Sequence, residues 1–156
     1  MSEQRIVSAE RHVSAPAEVI FKLIADPVWQ PEWDGNDNLS HADQGQRITG
    51  VDQSFTMELT NGQTRTNHVI EFEEGRRIAW KPAPVGEEPR GHIWRWELEP
   101  IDDVTTLVRH TYDWTDLTDE TRFERARSYT EEALAASVEK LADLAEGVAS
   151  GAEVTD

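Results

Sequence analysis

The feature that most constrains this chain is a helical stretch near its C-terminus, Ser128 to Gly147. Leu134, Val138, Leu141 and Ala145 recur at helical spacing with Ser137, Ala142 and Leu144 beside them, while Glu131, Glu132, Glu139, Lys140, Asp143 and Glu146 face elsewhere. Ser128 followed by Glu131 fits a capping box, and Gly147 is a stop signal. A helix this long, with leucines and small residues on one face, needs a broad apolar partner. The remainder of the chain has the pattern of a sheet.

Arg5 to Val13 reads as a first strand. Ser14-Ala15-Pro16-Ala17-Glu18 opens a short helix that carries Val19, Ile20, Leu23 and Ile24 and ends at Asp26-Pro27. Val28, Trp29, Pro31 and Trp33 make a second, irregular turn, and Leu39 and Ile48 anchor an edge strand and a return loop. From there the period becomes two. Phe55, Met57 and Leu59 alternate with polar residues; Asn61-Gly62 turns the chain; His68, Ile70 and Phe72 alternate in the next strand; Glu74-Gly75 turns again into Ile78 and Trp80. Pro82 to Pro89 reads as a loop. Trp94, Trp96 and Leu98, then Val108, His110, Tyr112 and Trp114, mark two long strands around a turn at Asp102-Asp103. A helical segment opens near Asp119 and bends near Arg127 and Ser128. The expected organisation is one domain over residues 1–147, with 148–156 a flexible acidic tail.

Charge narrows the function. The formal net charge is -16, from 31 acidic and 15 basic residues, a field that repels nucleic-acid backbones and anionic membrane surfaces. Arg122, Arg125 and Arg127, interleaved with Glu120 and Glu124, read as a solvated helical face. There is no cysteine, so disulfides and thiolate chemistry are excluded. No apolar run approaches a membrane span and the N-terminus lacks a signal-peptide pattern, so no stable membrane insertion and a cytoplasmic location are expected. The histidines lack HxH or HExxH spacing, which gives no metal site, and the chain has no phosphate loop, dinucleotide fingerprint or GxSxG elbow. No cofactor is implied.

The order is strand, two short helices, about six antiparallel strands and a long terminal helix. Together with the segments VSAPAEVIFKLIADPVWQPEW, VIEFEEGRRIAW, WRWELEP and VRHTYDWT, it resembles the START-like SRPBCC superfamily, in its polyketide cyclase/dehydrase and lipid-transport branch. The resemblance runs from about Arg5 to Gly147. It implies an α+β helix-grip fold, a curved antiparallel sheet of about seven strands wrapped around the terminal helix. It also implies an internal cavity for a lipid, a polyketide or another aromatic or polycyclic molecule, with Trp29 and Trp33 bordering the cavity mouth.

If the terminal helix packs on the concave face, strand alternation turns Phe55, Met57, His68, Ile70, Phe72 and Trp80 inward from the first half of the sheet. Trp94, Trp96, His110, Tyr112 and Trp114 follow from the second half, opposite Leu134, Val138 and Leu141 on the helix. Glu58, Arg65 and Arg95 alternate outward. His68, His110 and Tyr112 are the polar members of the inward set and the candidate catalytic groups: two imidazoles and a phenol facing a cavity can orient a carbonyl or move protons. The competing reading makes each a strand residue satisfied by a neighbour. His92, His12 and His41 are weaker candidates. The tryptophans either stack on a flat ligand or fill the interior. Three functions therefore stand open: a binder or carrier of a small hydrophobic molecule, a polyketide aromatase/cyclase or dehydrase, and a protein-interaction module with a filled cavity. A homodimer through an edge strand or the Trp29 and Trp33 region is compatible with all three.

Overall fold

A computed structural model of the protein describes residues 4–150. Seven strands form one antiparallel sheet: β1 Ile6–Val13, β2 Leu39–His41, β3 Ser54–Leu59, β4 Thr64–Glu73, β5 Arg77–Pro84, β6 Ile93–Asp102 and β7 Thr105–Asp113. Their order is β1-β7-β6-β5-β4-β3-β2, a meander whose first strand returns to pair with its last. The helices are α1 Ala17–Ala25, the single-turn α2 Gln30–Trp33, α3 Phe123–Arg127 and α4 Glu131–Ala149. The sheet curves around α4, the helix-grip arrangement the sequence leads one to expect.

The predicted stripe of α4 is the buried one: Leu134, Ser137, Val138, Leu141, Ala142 and Ala145. Its ends differ from expectation. The N-cap is Thr130, whose hydroxyl accepts from the Ala133 N–H at 3.2 Å, while the Ser128 hydroxyl donates back to the Arg125 carbonyl. Gly147 does not stop the helix, which continues to Ala149, because a glycine costs only about 1 kcal/mol in a helix and no proline follows. The tail expected from residue 148 therefore starts in helix, and its residues 151–156 lie outside the described residues. Helix α1 buries Ile20, Phe21, Leu23 and Ile24, and these join α4 and the concave sheet in one core. An ion pair from Arg11 on β1 to Glu139 on α4, at 2.9 Å, lies across the rim of that core.

Two strands depart from simple alternation. In β4, Asn67 and Val69 are buried while Ile70 is 37% exposed, the opposite of the expected parity. The cause is a bulge: Val69 pairs with Trp80 and Glu71 with Ala79, so Ile70 is an extra residue without a partner on β5. Beyond it the parity reverts and Phe72 faces the core, its ring 5.6 Å from Phe21. Before it, Arg65 and Asn67 share the concave face and His68 does not. In β5, the strand runs on through Pro82 and Pro84, which the sequence suggests as loop. Past Trp80 it pairs with β4 alone, so the missing proline N–H groups fall on a free edge. Among the described residues no helix is long and apolar enough to cross a membrane.

Candidate functional site

The sheet register aligns aromatic side chains on the concave face. Trp80 on β5 pairs with Trp94 on β6, which pairs with Tyr112 on β7; one level along, Ile78 pairs with Trp96 and Trp96 with His110. Their rings are in contact. The Trp96 and His110 rings stack at 3.8 Å and 20°, Trp94 lies on the other flank of His110 at 5.3 Å and 9°, and Trp94 meets Tyr112 at 4.3 Å. The second half of α4, with Val138, Leu141 and Ala145, packs solidly against the core. Its first half stands off from this aromatic wall, and the space between is a cavity of about 130 Å³. A closed cavity of similar size takes up an aromatic ring, and this one is open to one side, so a larger ring system can extend from it.

The rest of the lining comes from three segments. From α2 and the loop after it come Gln30, Trp33, Asp34, Asn36 and Asn38; from the sheet, Leu39, Met57, Leu59, Arg65, Asn67 and Pro82, with His92 just ahead of β6; from the segment before α4, Leu117, Arg122, Arg125, Ala126 and Tyr129. Helix α4 adds Leu134 and Ser137. The α2 loop is held by its own polar groups. The buried Asp34 carboxylate accepts from the N–H groups of Asn36, Asn38 and Leu39 at 3.1, 2.6 and 2.9 Å. Gly35 N–H and the Asn36 amide both donate to the Ser137 hydroxyl, at 3.0 and 3.3 Å, which accounts for a serine on the buried face of α4. Gly35 lies against that helix so closely that an added Cβ would sit 2.5 Å from the Ala136 carbonyl carbon.

Of the residues expected to face the ligand, Trp33, Met57, Trp80, Trp94, Trp96, His110, Tyr112 and Leu134 line the cavity. The others lie elsewhere. Phe55 packs edge-on behind Trp80 at 5.2 Å, Phe72 packs on Phe21, and Val138 and Leu141 belong to the solid core. Trp114 turns to Phe123 and carries the Arg5 guanidinium 4.6 Å over its ring. His68 and Ile70 are placed outside by the bulge. Trp33 is inside rather than at a mouth, 4% exposed, donating from Nε1 to the Leu23 carbonyl at 2.8 Å and meeting Trp96 edge-on. Trp29 is half-buried against the core and does not line the cavity. Arg65, Arg122 and Arg125, read from sequence as outward or solvated, border the cavity instead, as does His92. The β4 parity flip brings in Arg65; Arg122, at the start of α3, and Arg125, within it, reach the cavity from the segment ahead of α4.

Electrostatically the imidazoles are held neutral. His110 is 4% exposed, and burial pushes its pKa down to about 3. Its Nδ1 is 3.3 Å from the Arg95 carbonyl, which can only accept, so the neutral ring carries its proton on Nδ1 and offers Nε2 as an acceptor. Burial, then the nearby charges of Arg122, Arg65 and Arg125, lower His92 to about 4. Burial raises the Tyr112 phenol well above its ordinary value. None of the three groups changes charge near neutral pH. They present fixed donors and acceptors inside an aromatic wall, and one nitrogen on each of two lining residues, Trp96 Nε1 and His92 Nδ1, is buried without a hydrogen-bond partner among the described residues.

Comparison with known proteins agrees with this architecture. The chain is 30% identical over 111 residues to the uncharacterized protein Rv0088 of Mycobacterium tuberculosis, covering 69% of this chain and 47% of that protein. It thus spans about half the length of the curated relatives it matches. Among solved structures, the Zhui aromatase/cyclase of a Streptomyces species superposes with a TM-score of 0.68 at 18% identity, covering 96% of this chain and 99% of that one. The Aha1 dimer of Colwellia psychrerythraea superposes with a TM-score of 0.63 at 18% identity, covering 92% and 97%. At such identities the likeness is one of fold. Residues 4–146 match a sequence family described as polyketide cyclase / dehydrase and lipid transport, and with the sheet and terminal helix shared by its structural neighbours, the chain belongs to that family.

Proposed function

We propose that the protein binds a small hydrophobic, ring-containing molecule in the cavity between the sheet and the first half of α4. The observation that carries this reading is the wall itself: Trp80, Trp94, Trp96, His110 and Tyr112 stand in register yet leave space in front of them. Apolar walls with a few fixed polar groups are what small-molecule sites are built from. The titration behaviour supports holding a ligand over moving its protons. A general base works best with a pKa near the working pH, and burial keeps His110 at about 3 and His92 at about 4.

Native mass spectrometry of the purified protein, with extraction of whatever co-purifies, tests the proposal. A bound aromatic, polyketide or lipid is the expected result, together with micromolar binding of a naphthalene-sized probe that Trp94→Ala weakens at least tenfold. A folded protein that takes up no apolar probe contradicts it and favours an interaction module with a filled interior. Turnover of a bound polyketide that His110→Phe abolishes while affinity is retained would instead favour the aromatase/cyclase reading.

A further inference from the structure

Three of the chain's fifteen basic residues gather at the cavity: Arg65 from β4, and Arg122 and Arg125 from the segment before α4. Nothing in the local sequence requires this, since acidic residues outnumber basic ones two to one. Nor are two of the three paired with a carboxylate. Among the described residues, Arg65 and Arg125 are in no ion pair, and Arg122 reaches only Asp119, through Nε at 3.3 Å. Arg65 donates to the neutral Gln63 amide at 2.9 Å. Glu87, whose charge acts on Arg65, is engaged by Arg90. Like charges are held together here at an electrostatic cost: burial and the fields of Arg122 and Arg125 lower the pKa of Arg65. His92, in the same group, stays neutral and adds no further positive charge.

The second observation lies deeper in the same cavity. Trp96 is fully buried and its Nε1 has no partner among the described residues; nearer the arginines, the His92 Nδ1 also lacks one. An aromatic wall, unpaired polar atoms within it and three converging guanidiniums at one side together describe a ligand with two ends. We infer that the molecule taken up by this cavity is an amphipathic aromatic acid, its rings against Trp94, Trp96 and Tyr112 and its anionic group, a carboxylate or phosphate monoester, held by Arg65, Arg122 and Arg125. The inference rests on the binding reading above and adds to it the charge of the ligand. Guanidinium groups suit both anions, because their fork of N–H donors matches two oxygens at once.

Calorimetric titration of the intact protein with four probes of one ring system tests this: 2-naphthoate, 2-naphthyl phosphate, 2-naphthamide and 2-naphthol. At least one anion binds ten times or more tightly than the two neutral probes, and whichever is tighter identifies carboxylate or phosphate as the preferred group. In the triple variant Arg65→Gln, Arg122→Gln, Arg125→Gln, the anion falls to the affinity of naphthamide while naphthamide itself is unchanged. Each single variant gives a partial loss, which keeps the test available should the triple variant fail to fold. Equal binding of all four probes overturns the inference and leaves the cavity reading intact. Binding of none overturns both, and an anion preference that survives the triple variant places the anion site elsewhere and overturns the assignment.

Discussion

His110 is buried against two indoles with its Nδ1 proton committed to a backbone carbonyl; burial keeps the ring neutral, outweighing that hydrogen bond, which by itself favours the protonated form. The consequence for stability has a definite sign. Above pH 6.5 the imidazole is neutral in both folded and unfolded chains and makes no pH-dependent difference. Below it, the unfolded chain takes up a proton that the folded one refuses until about pH 3, so stability falls with pH, by up to about 1.4 kcal/mol per unit for this residue. His92 adds a similar slope down to about pH 4. Glu71, whose pKa the hydrogen bonds from Arg95 hold below its ordinary value of 4.5, begins to lose its contribution only below that value, so the range from pH 7 to 5 reports the histidines and the two effects overlap only at lower pH. Urea unfolding at pH 7, 6 and 5 should therefore show the wild-type midpoint dropping, with His110→Phe roughly halving the histidine part of the slope. Parallel slopes in the two proteins would mean that His110 is protonated in the folded state.

At the level of elements, the α2 loop and α4 are joined at one close contact. Ser137→Ala removes the acceptor of the Gly35 N–H and should cost about 1–2 kcal/mol. Gly35→Ala should cost about 1–3 kcal/mol, because the atoms its Cβ meets are helix backbone and cannot rotate away. Urea midpoints measure both, and a Gly35→Ala variant as stable as wild type would show that the loop does not dock on α4. The β4 bulge gives a third prediction. Val69→Thr buries a hydroxyl and should cost about 1 kcal/mol or more, whereas Ile70→Thr should stay within about 0.5 kcal/mol of wild type. Equal losses would restore simple alternation. These same elements mark how far the sequence could be read. Alternation in Trp94-Trp96-Leu98 and Val108-His110-Tyr112, and helical spacing in Leu134-Val138-Leu141, disclose the sheet, the gripped helix and the aromatic side of the cavity wall, since each pattern is local. The bulge at Ile70 is not local: it depends on how Val69 and Glu71 pair with β5. One unpaired residue moved His68 out and brought Arg65 and Asn67 in. Pro82 likewise reads as loop until it is seen that β5 has lost its second neighbour.

For the molecule as a whole, an excess of negative charge has to coexist with three arginines drawn to one opening. The net charge of -16 makes the folded state self-repelling, so screening stabilises it; the thermal midpoint should rise between 10 and 150 mM NaCl as the Debye length falls from about 30 to about 8 Å. A surface cation in such a field would ordinarily be stabilising, and removing it would lower the midpoint. Arg65 is different. Burial and two neighbouring guanidiniums outweigh the anionic groups around it, which is why its proton affinity is lowered rather than raised. Arg65→Gln should therefore leave the unliganded protein within about 0.5 kcal/mol of wild type, or make it slightly more stable, while weakening 2-naphthoate. Loss of both stability and binding in that variant would make Arg65 a structural cation. Loss of binding alone would show that the cluster is held at an electrostatic disadvantage, relieved only when an anion enters.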